Sequence, residues 1–137
     1  MGIQKQEFYE GAALHQLVRN GSGVSLRYVS PIFVVDDRLQ LHLKYSAGKR
    51  SPWGFTFTRD EQSMLNKISA QLPVIIGLIC GADGVVAVPY SEYQSVALLK
   101  ETAVRISCYR RHREHFEVIG PDGTVSRKIP SSDWRRI

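Results

Sequence analysis

The stretch "SPIFVVDDRLQLHLKYS", residues 30–46, decides the fold. After Pro31 comes a short apolar run, then two aspartates that favour a turn, and then eight residues in which apolar and polar side chains alternate. Such alternation places successive side chains on opposite faces of a strand. One face of residues 39–46 carries Leu39, Leu41, Leu43 and Tyr45, and the other carries Gln40, His42 and Lys44. The stretch therefore predicts a β-hairpin whose second strand buries its leucines and presents a histidine and a lysine.

A helix and a strand are predicted before this hairpin. Residues 6–20 have helical periodicity, and Asn20 with the glycine after it ends the helix in the manner of a C-cap. The apolar arc of this helix comprises Tyr9, Ala13, Leu14, Leu17 and Val18. Glu10 lies inside that arc, where it either interacts favourably with the helix N-terminus or points toward a site.

The remaining chain continues the alternation of strands and helices. Residues 46–54 are expected to form a loop and residues 55–57 a strand, and Thr58 with Glu61 has the spacing of a capping box that begins a helix. Residues 74–89 predict a hairpin buried on both faces. A second capping-box pattern at 91–94 predicts a helix through about Lys100, and three strands follow. We expect one domain over residues 1–137, of α/β class with α+β as the alternative, in which helices flank a mixed β-sheet.

Composition narrows the classes of function. The formal net charge is +5 and the sequence pI is about 9.4, which favours anionic partners. The longest apolar run, "LPVIIGLIC", has nine residues, fewer than the ~18 that a membrane span needs, and the N-terminus lacks the apolar stretch of a signal peptide. We therefore expect a cytoplasmic protein with no membrane partner, in which Cys80 and Cys108 are reduced.

The 18 Lys and Arg residues are scattered until the last third of the chain, where "YRRHREH" at 109–115, "SRK" at 126–128 and "DWRRI" at 133–137 concentrate positive charge. Basic residues clustered in this way are typical of nucleic-acid binding, although a solvated basic face is the alternative. Trp53, flanked by Lys49, Arg50 and Phe55 in "GKRSPWGF" at 48–55, is a candidate for stacking on a base as an exposed loop aromatic, although such a tryptophan more often folds onto the core. The candidate nucleic-acid-binding residues are Lys44, Lys49, Arg50, Trp53, Arg110, Arg111 and Arg113.

The order helix, strand, strand beginning with proline, turn, strand with lysine, and helix resembles the core of the PD-(D/E)XK, or restriction-endonuclease-like, superfamily. The resemblance covers roughly residues 7–66. It matches Glu10 to the glutamate of the first helix, Pro31 to the proline and Lys44 to the lysine of the motif. Ile32 and His42 stand where the family has its metal-binding aspartate and glutamate.

The two missing carboxylates determine the chemistry that the resemblance implies. Mg²⁺ prefers hard oxygen ligands, so a lone glutamate with an imidazole forms a poor site for it. We therefore expect a non-catalytic or degenerate member that binds no metal or other cofactor, and that does not cleave DNA or RNA with Mg²⁺ or Mn²⁺. The cysteines and the histidines at 112 and 115 follow no familiar zinc spacing.

Two other functions stay open. One is an active nuclease with an unorthodox Mg²⁺ or Mn²⁺ site, whose catalytic residues would be Glu10, Asp37, His42 and Lys44. The other is a protein-interaction or self-assembling domain, with a protein partner or a second copy of the chain, in which basic charge serves solubility.

Overall fold

The structure is a computed structural model that describes residues 2–20, 24–112 and 114–133. Its helices are α1 (Lys5–Asn20), α2 (Arg59–Ile68) and α3 (Tyr90–Val96). Its strands are β1 (Leu26–Val29), β2 (Ile32–Val35), β3 (Leu39–Ser46), β4 (Trp53–Phe57), β5 (Val74–Cys80), β6 (Gly84–Pro89), β7 (Val104–Tyr109), β8 (Glu117–Gly120) and β9 (Gly123–Thr124).

The larger sheet has five strands in the order β1-β2-β3-β5-β6. All neighbouring strands in it are antiparallel except β3 and β5, which run parallel from the pair Gln40–Val74 to the pair Ser46–Cys80. The prediction of a mixed sheet flanked by helices is confirmed. The sequence did not predict that β4, β7, β8 and β9 form a separate antiparallel sheet.

The two faces of the larger sheet bury different partners. The leucines of β3 pack with Ala13 and Leu17 of α1 on one face, as the alternation predicted. The other face packs against the smaller sheet and against α2 and α3, in a cluster that includes Phe55, Phe57 and Leu65. Every residue of β5 is buried, because that strand is covered on both faces.

Helix α2 begins as its sequence predicted. The Thr58 side chain accepts a hydrogen bond from the Glu61 N–H, and the Glu61 side chain accepts one from the Thr58 N–H. This capping box satisfies backbone donors that the first helical turn leaves free.

Three sequence predictions about the elements are wrong. Helix α3 ends at Val96 rather than near Lys100, because the turn residue Asp122 donates its N–H to the Val96 carbonyl and accepts from the Leu98 N–H. That helix also lacks the predicted capping box, since Pro89 is its N-cap. Val18 is 47% exposed, because α1 contacts the sheet through Ala13 and Leu17 and each following residue turns away by about 100°.

No helix within the described ranges has the length and apolar character needed to cross a bilayer.

The parallel pairing of β3 with β5 aligns the C-terminal ends of both strands. Gly81, which follows β5, donates its N–H to the Ser46 carbonyl at 2.8 Å. Its φ is +54°, and a Cβ at this position would overlap the Gly48 carbonyl oxygen. The loop after β3 therefore lies directly against the turn after β5, and glycine is required where they meet.

We expect Gly81→Ala to lower the free energy of unfolding by about 2–4 kcal/mol, because it adds both backbone strain and overlap. Urea denaturation measures this change. Gly11→Ala is the matched control: Gly11 lies inside α1 with no atom within 4 Å of the added Cβ, so that change should stabilise the protein by about 0.5–1 kcal/mol. Equal effects of the two substitutions would contradict the close approach at Gly81.

Candidate functional site

A basic cavity of about 390 Å³ lies where the loop after β3, the β5–β6 turn and the segment after β7 meet. Its basic side chains are Lys49, Arg50, Arg110, Arg111 and His112, and Ser51, Trp53 and Asp83 complete its lining. We refer to these eight residues as the basic cavity. It brings together four of the cations that the sequence identified as candidates for nucleic-acid binding.

Strand pairing explains why two distant segments converge here. Strands β4 and β7 are antiparallel neighbours, with Trp53 opposite Cys108, so the residues before β4 lie next to the residues after β7. The Ser51 hydroxyl then donates to the Arg110 carbonyl at 3.0 Å, across 59 positions of sequence.

Arg110 is held firmly in the cavity. Its Nη1 donates to Asp83 Oδ2 at 2.8 Å, and its Nε donates to the Glu114 carbonyl at 2.8 Å. The guanidinium carbon lies 5.1 Å from the centre of the Phe116 ring, within the range of a cation–π contact. These contacts fix the direction of the guanidinium, while Asp83 compensates part of its charge.

The other three cations of the cavity are exposed and have no ion-pair partner within the described part of the chain: Lys49, Arg50 and Arg111. With histidine neutral, the cavity lining contains four positive side chains and one carboxylate. The cavity therefore carries excess positive charge and attracts anions.

Trp53 does not occupy the exposed position that the sequence suggested. It belongs to β4, is 2% exposed, and donates its Nε1–H to the Gly48 carbonyl at 2.8 Å. Its ring packs near Phe116, with centroids 5.8 Å apart. Packing of Trp53 onto the core is therefore confirmed, and the exposed position that stacking on a base needs is wrong.

The other candidate cations have different positions. Lys44 lines a separate cavity that shares no lining residue with the basic cavity. Arg113 falls outside the described residues.

The separate cavity, of about 190 Å³, contains the polar face of β3. Glu61 Oε2 accepts hydrogen bonds from His42 Nε2 at 2.8 Å and Lys44 Nζ at 2.7 Å, while its Oε1 accepts from the Thr58 N–H. The Lys44 amine also lies 4.7 Å from the centre of the Phe57 ring. The sequence identified Glu61 only as a helix cap and missed it as the partner of His42 and Lys44. The available signal was its position in the first turn of α2, the next helix after β3.

The charge of Glu61 depends on these contacts. Burial raises the pKa of its carboxyl, but the hydrogen bonds from His42 and Lys44 and the positive charge of Lys44 outweigh burial and lower the pKa to about 2. The carboxylate is therefore ionised at neutral pH and only accepts hydrogen bonds, so His42 carries a proton on Nε2. His42 Nδ1 is buried and has no partner within the described residues.

The structure does not gather the residues of the unorthodox nuclease site. Glu10 does not line the cavity of Lys44. It accepts a hydrogen bond at 2.7 Å from Nε2 of Gln6, and Gln6 does line that cavity. Asp37 lies in the β2–β3 turn and pairs with Arg27 at 3.3 Å. The five steps of extended strand from Leu39 to Lys44 alone span about 17 Å, so Asp37 lies far from Lys44.

The residues present do not fit a magnesium site. Phe33 pairs with Leu41, so extending the β2–β3 register by one residue places Ile32 opposite His42. These are the two positions matched to the metal-binding carboxylates of the family, and neither residue is a carboxylate. Within the described ranges no three His, Cys, Asp or Glu side chains lie close enough together to hold a metal ion. The free thiols of Cys80 and Cys108 are buried in the core between the two sheets.

Comparisons of the chain with protein-family models, with curated proteins and with solved structures found no match.

We expect the contribution of Glu61 to stability to depend on pH. The folded pKa of about 2 lies below the ordinary value of 4.5, so the contribution is complete above pH 4.5 and is lost as the pH falls through 2. The difference in unfolding free energy between the wild type and Glu61→Gln should shrink by about 2–3 kcal/mol between pH 6 and pH 2.5.

Urea denaturation at both pH values measures that difference. Glu101→Gln is the control, because the Glu101 side chain is 88% exposed and its ion pair with Arg59 contributes little. A difference for Glu61→Gln that is the same at pH 6 and pH 2.5 would contradict the assigned contacts of its carboxylate.

Proposed function

We propose that this chain is a cytoplasmic, non-catalytic domain with a restriction-endonuclease-like core that binds DNA or RNA through its basic cavity, alone or within a larger complex. One observation carries the proposal. Two basic segments, 59 positions apart at Ser51 and Arg110, converge on one concave site. Scattered solvating charges would not need to meet in this way.

The chemistry of the cavity suits the phosphate backbone. Lys49, Arg50 and Arg111 are exposed cations without an ion-pair partner within the described residues, and each can neutralise a phosphate. Phosphate contacts position a protein on a nucleic acid without reading its sequence. The burial of Trp53 removes the large aromatic face on which bases would stack. Charge should therefore supply most of the affinity.

The polar face of β3 supports a domain that is not catalytic. Lys44, the lysine matched to the family motif, has its amine bound to Glu61 rather than to a metal-binding carboxylate of the hairpin. Ile32 and His42 supply none of the oxygen ligands that a magnesium-dependent nuclease needs. The restriction-endonuclease-like core is part of the proposal for the same region, because the order α1, β1, β2, β3 and α2 follows the family's order with β4 inserted before α2.

We expect the protein to bind fluorescent single-stranded DNA in 50 mM salt and to lose roughly 10- to 100-fold in affinity at 200 mM, because about three phosphates release counterions. Replacing Lys49, Arg50 and Arg111 together by glutamine should weaken binding at 50 mM salt by at least about tenfold and flatten the dependence on salt. Fluorescence anisotropy measures both effects.

A charge-matched variant controls for net charge. Lys5, Arg19 and Lys67 are exposed cations on α1 and α2, outside the basic cavity, and changing them to glutamine removes the same three charges. That variant should keep most of the affinity. Equal losses in both variants would show that general positive charge, not the cavity, attracts the DNA. Absence of binding to DNA and RNA at low salt by the folded protein would remove the proposal and favour a protein-interaction domain.

A further inference from the structure

We infer that the basic cavity takes one unpaired nucleotide and that Asp83 reads its base, so that the domain prefers single strands to duplex and cytosine to thymine. This inference rests on the proposed function and specifies the ligand of the same site.

The size of the cavity favours a single nucleotide. Its volume of about 390 Å³ is near the lower end of the range, roughly 300–1,000 Å³, that is usual for small-molecule sites. A stacked base pair inside a duplex cannot enter such a space, whereas a base on a flexible single strand can. Single-stranded segments are also the nucleic acids in which the hydrogen-bonding edges of the bases are free.

Asp83 adds a hydrogen-bond acceptor to a cavity that otherwise carries positive charge. The residue sits on the tight β5–β6 turn, where its N–H donates to the Cys80 carbonyl at 2.9 Å. Its Oδ2 is bound to Arg110, while its Oδ1 has no hydrogen-bond partner in the described part of the chain. Oδ2 is thus bound to Arg110, and Oδ1 is an acceptor free to bind a ligand in the cavity that Asp83 lines.

These charges orient a bound nucleotide. Its phosphate is attracted to Lys49, Arg50 and Arg111 and repelled by Asp83, so the phosphate occupies the cationic side. The base is then left to meet the free carboxylate oxygen. That oxygen can only accept hydrogen bonds, so it favours a base that offers an amino group.

Cytosine and thymine differ in the group at position 4 of the base. Cytosine offers its N4 amino group as a donor, and a carboxylate is the side chain that accepts from it; thymine has the O4 carbonyl at the same position. Two facing oxygens repel each other and leave a polar pair without a hydrogen bond. We expect a preference for oligo(dC) over oligo(dT) of at least about fivefold.

The simpler alternative is that Asp83 serves only to hold Arg110. Asp83→Asn separates the two roles, because the amide oxygen can keep the bond to Arg110 while the amide nitrogen presents a donor in place of an acceptor. The loss of one negative charge should strengthen the binding of every oligonucleotide. The change from acceptor to donor should alter only the preference between cytosine and thymine.

The test compares anisotropy titrations of the full chain with dC10, dT10 and a ten-base-pair duplex at pH 7.5 and low salt. The wild type should bind dC10 at least about fivefold more tightly than dT10, and dC10 more tightly than the duplex. Asp83→Asn should bind dT10 more tightly than the wild type does and should abolish or reverse the preference for cytosine. Asp60→Asn, which removes an exposed charge at the start of α2, should leave the preference unchanged.

The outcomes separate this inference from the proposed function. Equal binding of dC10 and dT10, duplex binding as tight as that of dC10, or equal strengthening of both oligonucleotides by Asp83→Asn would overturn the inference. Binding that still depends on Lys49, Arg50 and Arg111 would then leave the proposed function intact. Absence of binding to all three oligonucleotides would overturn both.

Discussion

The parallel pairing of β3 with β5 is the interaction on which the basic cavity depends. Seven residue pairs join the two strands, from Gln40–Val74 to Ser46–Cys80, so both strands end at the same edge of the sheet. The loop after one strand and the turn after the other then meet, and Gly81 allows their backbones to approach closely. Sites in sheets with parallel strands commonly form outside the carboxyl ends of those strands, because the loops that leave them converge.

The smaller sheet completes this arrangement. Pairing of β4 with β7 returns the chain to the same edge and adds Arg110 and Arg111 to the cations of the loop after β3. The contacts of Arg110 with Asp83, Glu114 and Phe116 then tie the segment after β7 to the β5–β6 turn. The topology thus places cations from two distant parts of the chain in one concave site with excess positive charge.

The polar face of β3 has a different part in the structure. His42 and Lys44 both bind the Glu61 carboxylate, which also caps α2, so one side chain joins the strand to the start of the helix. Removing one partner of a fully buried ion pair commonly costs about 3–5 kcal/mol, and the Lys44–Glu61 pair, with side chains 20% and 16% exposed, should cost less than that. A histidine and a lysine on a regularly alternating strand are thus explained by a contact that orients α2, with no metal ion needed.

Local patterns were predictable from the sequence, and long-range contacts were not. The leucine face of β3, the buried β5–β6 hairpin and the capping box of α2 follow from residues a few positions apart, whereas the burial of Gln40 and His42 on the other face of β3 does not. The end of α3 was missed because it depends on Asp122, more than twenty positions away. The place of Trp53 depends on its pairing with Cys108, and the partner of Lys44 on the position of α2 over the sheet. The basic run at 109–115 and the candidate cations Lys49 and Arg50 were visible in the sequence, but their convergence depends on the register of two sheets.

The most direct test of the central claim, that distant basic segments form one site, is a ¹H–¹⁵N chemical-shift map of the protein titrated with a short single-stranded oligonucleotide. The largest shifts should fall in residues 48–53, 81–84 and 109–112 together, with one common dissociation constant. Shifts that centre on His42, Lys44 and Glu61, or that spread evenly over exposed basic residues of α1 and α2, would contradict it.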